Sequence, residues 1–63
     1  MVELNLYVKF ESWYREEPDA VVRCSVVEKN DKYIEILDEN QYTQILMLDK
    51  FFAITYRKGD YIY

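Results

Sequence analysis

Val2-Glu3-Leu4-Asn5-Leu6-Tyr7-Val8-Lys9-Phe10-Glu11 alternates between two kinds of side chain. Val2, Leu4, Leu6, Val8 and Phe10 would point one way, and Glu3, Asn5, Tyr7, Lys9 and Glu11 the other. That two-residue period belongs to a half-buried strand and does not fit a helix.

Outward from this stretch, Ser12 to Asp19 loses the alternation, and Pro18 removes a backbone donor. A loop is predicted over residues 11–17, with at most one helical turn. Ala20 to Glu28 resumes as a β-branched run in which Val22, Cys24 and Val26 share a face. Lys29-Asn30-Asp31-Lys32 carries turn chemistry, because Asn and Asp tolerate left-handed backbone and close hairpins. Tyr33 to Leu37 reads as a third strand, followed by the turn Asp38-Glu39-Asn40-Gln41. Thr43 to Leu48 and Phe52 to Arg57 complete five strands, joined by the tight Asp49-Lys50 step. Tyr61-Ile62-Tyr63 is left as a tail able to extend a neighbouring edge. Short strands with hairpin-sized connections predict an all-β fold, a small five-stranded SH3-like antiparallel barrel occupying residues 1–63 as a single domain.

The 63 residues bound what such a barrel can enclose. A chain of this size buries roughly 60% of its extended surface, and small domains commonly add disulfides, a metal or a partner chain. One cysteine and no histidine leave no internal disulfide and no structural zinc set, so no metal or cofactor is expected. Burial against another chain remains. Disorder is excluded by a content of 51% hydrophobic and 17% aromatic residues.

The net charge is −4. Acid is concentrated in residues 1–19, where Glu16, Glu17 and Asp19 surround Pro18. Phosphate recognition calls for clustered Lys and Arg, so nucleic acid is not the expected partner. No apolar run approaches membrane-spanning length. The acidic, alternating N-terminus does not read as a signal peptide, and a cytoplasmic location is expected, in keeping with a single reduced thiol.

From Val22 to Tyr56 the order of features resembles the Sm-like branch of the small SH3-like barrels. Asp31-Lys32-Tyr33-Ile34-Glu35-Ile36 is similar to the segment where that family carries Asp-x-x-hydrophobic-Asn-hydrophobic. Ile45-Leu46-Met47-Leu48-Asp49-Lys50-Phe51-Phe52-Ala53-Ile54 is similar to its closing pair of strands. The resemblance implies a barrel that associates through edge strands. Cys24 stands where the family usually has glycine in its bent second strand, and Glu35 stands where it has the base-contacting Asn. The N-terminal helix is replaced by the Val2–Phe10 strand.

No nucleophile–base pair can be assembled, since Ser12 and Ser25 have no evident base. The carboxylate pairs Glu16/Glu17 and Asp38/Glu39 read as solvated loops without an apolar pocket to shift a pKa. Cys24 reads as a small buried hydrophobe. No enzyme is expected.

Aromatic residues are the strongest compositional signal: seven Tyr, three Phe and one Trp. Phe10 and Phe52 read as core. Tyr7, Trp13, Tyr14, Tyr33 and Tyr42 fall on outward faces or in loops, where they serve either as an interface or as caps on an open barrel. In the fourth strand Ile45 and Met47 share one face and Leu46 and Leu48 the other, so both faces call for burial. Leu46 and Leu48 are therefore expected at an oligomer interface, most simply of a twofold dimer.

The expected function is that of a non-enzymatic, acidic protein-binding module. Trp13, Tyr14, Glu16, Glu17 and Asp19 would form the loop that contacts a basic protein partner. The analogy is to small regulators or inhibitors encoded by phages and mobile elements. The alternatives from other classes are an Sm-like RNA-binding ring and a structural or assembly subunit.

Overall fold

The computed structural model describes residues 1–63. Its elements are β1 (Val2–Tyr7), α1 (Phe10–Tyr14), β2 (Ala20–Lys29), β3 (Tyr33–Asp38), β4 (Thr43–Met47), a 3₁₀ turn (Leu48–Lys50) and β5 (Ala53–Tyr56). All five strands belong to one antiparallel sheet in the order β4-β3-β2-β1-β5. This is the all-β, small barrel-like fold expected.

The ten-residue β2 makes the bend. Its first half pairs with β1 from Ala20 to Cys24, and its second half pairs with β3 from Cys24 to Lys29. Cys24 lies opposite both Val2 and Asp38, at the point where the ladder changes partner. A register irregularity between Val26 and Glu28 bends the strand further. β5 then pairs with β1 and brings the two ends of the chain together.

The concave side holds Leu4, Leu6, Cys24, Ile34, Ile36, Leu46, Leu48 and Ile54, with Val22, Val26, Phe51, Tyr56 and Ile62 packed at its margin. Only 13 of 63 residues are buried, so the core is as thin as the chain length implies.

Both predicted turns form by side-chain to backbone bonding. Asn30 Oδ1 accepts from the N–H groups of Lys32 (2.9 Å) and Tyr33 (3.0 Å). Asp38 Oδ1 accepts from the N–H groups of Asn40 (2.9 Å) and Tyr42 (3.0 Å), and its Oδ2 from Gln44 Nε2 (2.8 Å). Asp38 is therefore a turn-forming carboxylate and not one half of a solvated pair, whereas Glu39 is exposed. Gln41 follows at φ 69°, the left-handed residue of the turn.

Three expectations are corrected. β1 stops at Tyr7, and Phe10 enters α1 instead of continuing the strand. Phe10 and Phe52 are 51% and 44% exposed, outside the core. Leu46 and Leu48, expected at an oligomer interface, are 9% and 6% exposed within the chain's own core. The register of β4 on β3 sets Leu46 beside the fully buried Ile34 and turns Ile45 and Met47 outward. The tail extends a neighbouring edge, as its sequence allows, and that edge is β5 of its own chain: Tyr61 bridges Thr55, and Ile62 and Tyr63 bond to Ile54.

No helix is long and apolar enough to cross a membrane.

Candidate interaction surface

Asp19 organises the β1–β2 connection. Its Oδ2 accepts from the Val8 N–H at 2.7 Å, and its Oδ1 accepts from Ser12 Oγ at 2.9 Å. These bonds end β1 and hold the start of α1 against the loop's return. They also lower the Asp19 pKa, first through the Val8 N–H and then through the Ser12 hydroxyl. Both carboxylate oxygens of Asp19, expected as a partner contact, are thus engaged in shaping the loop, and the residue remains exposed.

α1 is one short helix of five residues, ending where Glu16 takes a left-handed φ of 56°. Its aromatic residues meet Phe52, which follows the 3₁₀ turn. Phe10 stacks on Tyr14 at a centroid distance of 5.7 Å and lies 5.7 Å from Trp13. Phe52 makes an edge contact with Phe10 at 5.6 Å and a tilted contact with Trp13 at 5.4 Å. These separations fall within the range of favourable ring pairs. The Trp13 indole N–H donates to Tyr61 Oη at 2.6 Å, tying α1 to the tail.

The result is an ordered surface of large rings that remain in contact with solvent. Tyr14 is 73% exposed and Trp13 is half-buried. Beside them, Tyr7, Trp13, Tyr14, Glu16, Arg57 and Tyr61 border an open groove of about 420 Å³ over the outer face of β1 and β5. Arg57 pairs with Glu3 at 2.8 Å.

The five expected contact residues are therefore divided. Trp13, Tyr14 and Glu16 border this groove, whereas Glu17 and Asp19 line a polar hollow with Lys9, Ser12 and Arg15. Phe10, Phe52 and Tyr61 complete the aromatic surface; strand alternation concealed the first two, and Tyr61 joins it through a contact 48 residues away in the chain. A local signal existed for Phe52: two adjacent phenylalanines in an extended segment cannot both face the core, and Phe51 is the half-buried one.

Cys24 is wholly buried, and desolvation followed by the nearby Asp38 charge raises its thiol pKa. The Tyr33 phenol donates to Glu28 at 2.9 Å, which raises the Tyr33 pKa. No group of three or more acidic, Cys or His side chains gathers to hold a metal ion.

Comparison with protein-family models, with curated proteins and with solved structures finds no match for this chain.

Proposed function

We propose that the chain is a non-enzymatic protein-binding module whose α1 surface engages a basic protein, in the manner of a small cytoplasmic regulator or inhibitor. One observation carries this reading: the exposed rings of Phe10, Tyr14 and Phe52 form one contiguous cluster with the half-buried Trp13. A chain with so small a core would gain from hiding these rings, yet it holds them outward. Rigid aromatic groups bind with little entropic loss, and they dominate many protein interfaces. On the same connection the exposed Glu11, Glu16, Glu17 and Asp19 outnumber the exposed Lys9 and Arg15, an acidic balance that favours a cationic partner and steers its approach. The analogy to short acidic phage and mobile-element proteins belongs to this reading.

A ring built head to tail from β4 and β5 would need a free β5 edge. That edge is taken by the chain's own tail, which weighs against the RNA-binding ring.

The test compares affinity capture by the natural chain and by the F10A/Y14A variant, followed by titration with the purified captured protein. The expected result is a basic protein bound less tightly as salt rises, and lost with F10A/Y14A. Capture that is unchanged by the double substitution overturns the reading.

A further inference from the structure

The two terminal strands of the sheet treat their outer edges in opposite ways. In the β1–β5 ladder the Arg57 N–H donates to the Glu3 carbonyl at 3.0 Å. By antiparallel alternation, Ile54 and Tyr56 then turn their backbone groups away from β1. All of those groups are satisfied by the tail. The Ile54 N–H donates to the Tyr63 carbonyl (3.1 Å), and the Ile54 carbonyl accepts from Ile62 (2.8 Å) and Tyr63 (3.1 Å). The Tyr56 N–H donates to the Asp60 carbonyl, and its carbonyl accepts from Gly59, both at 2.8 Å.

β4 has no such cover. The Asp38 N–H donates to the Tyr42 carbonyl (2.9 Å), and the Leu48 N–H to the Lys32 carbonyl (3.0 Å). These bonds bracket the ladder, so Gln44 and Leu46 bond to β3. Thr43, Ile45 and Met47 direct their N–H and C=O groups outward, where no segment of the chain meets them. Proteins commonly protect such an edge with Lys, Pro or a bulge. Thr43–Met47 contains no charged residue and no proline, and Ile45 and Met47 are 49% and 44% exposed.

We propose that the β4 edge pairs with β4 of a second copy about a twofold axis, forming one continuous sheet across a dimer. The chain itself supplies the matching register. With Ile45 opposite Ile45 of the second copy, and Thr43 opposite Met47 of the second copy, every outward N–H and C=O of both strands finds a partner. The Ile45 and Met47 side chains come to lie on the same face of the joint. The covered β5 edge leaves β4 as the terminal strand that a second copy can offer. A five-residue joint is short, so the dimer is weak, forming at micromolar or higher concentration. The joint uses Thr43–Met47 and none of the aromatic residues of the α1 surface, so it is separate from the function proposed above.

Sedimentation velocity on the full chain, run from low micromolar to millimolar concentration, tests this together with amide hydrogen exchange. The expected result is a rise from 7.7 kDa toward twice that mass, with the Thr43, Ile45 and Met47 amides gaining protection as the dimer forms. I45K/M47K should weaken self-association on the order of a hundredfold, from four altered side chains per dimer, with unchanged circular dichroism. If that variant does not fold, T43K provides the same reading from the exposed start of the strand. A chain that stays at 7.7 kDa throughout overturns the proposal, as does a dimer in which those three amides exchange freely. Protection that appears only on adding a foreign extended peptide to a monomeric chain would assign the edge to a peptide, and also overturns it.

Discussion

Trp13 and Tyr61 lie 48 residues apart in the chain and are joined by a hydrogen bond of 2.6 Å between the indole N–H and the phenol oxygen. The bond links the β1–β2 connection to the tail that covers β5. It makes the aromatic surface a product of both ends of the chain.

Tyr61→Phe removes the acceptor but keeps the ring. Because the pair is exposed, water can replace the lost partner, and the expected cost is about 0.5 kcal/mol, the low end for a hydrogen bond. Trp13→Ala removes the ring contacts to Phe10 and Phe52 as well, and should cost about 2 kcal/mol of stability. Urea titration of both variants checks the order. Equal costs would mean that the hydrogen bond, and not ring packing, holds α1 in place.

Two carboxylates should give the fold an acid-sensitive stability. The Asp19 pKa is lowered by the Val8 N–H and Ser12 hydroxyl, and the Asp38 pKa by the Tyr42 N–H, the Gln44 amide and the Asn40 N–H. A folded-state pKa below the unfolded one means that the unfolded chain binds protons first as acid is added. The contribution is therefore complete above the ordinary value of 3.8 and is lost as the pH falls through the lowered values. Urea midpoints measured between about pH 2 and pH 6 should fall toward acid. Asp19→Asn and Asp38→Asn should each flatten that slope, and an unchanged slope in both variants would contradict the hydrogen-bonding scheme.

Adjacent residues of β4 should respond very differently to truncation. Leu46 is 9% exposed in the core, and Leu46→Ala should cost about 2–4 kcal/mol through lost burial and the cavity left behind. Ile45 is 49% exposed, and Ile45→Ala should cost less than about 1 kcal/mol in the dilute monomer. Denaturation at low concentration, where pairing between copies does not contribute, checks the contrast. A reversed order would restore Leu46 to an outward face.

Much of this architecture is written locally. The Val2–Leu6 alternation, the β-branched Val21–Val27 run, and the Asn30 and Asp38 turns each depend on neighbours a few residues away. For these, period and turn chemistry suffice. Trp13, Tyr14 and Glu16 were also legible as an outward loop, because the alternation breaks there and an acidic loop has no reason to fold inward.

The features that escaped depend on distant partners. Alternation separates a strand into two faces without saying which is inside. Where both are apolar, as in Ile45-Leu46-Met47-Leu48, only pairing with β3 chooses Leu46 and Leu48 for the core. Phe10 continues a strand pattern by its position, yet the Asp19 carboxylate captures the Val8 N–H and turns the chain into α1. Its ring then meets Phe52, far along the chain, and the tail finds β5 in the same way. Local composition governs which segments can be strands and turns, because backbone preference and side-chain period act over a few residues. Which surfaces are buried, which edge is covered and which rings converge depend on contacts between segments far apart in the chain, and these arise only once the sheet has bent on itself.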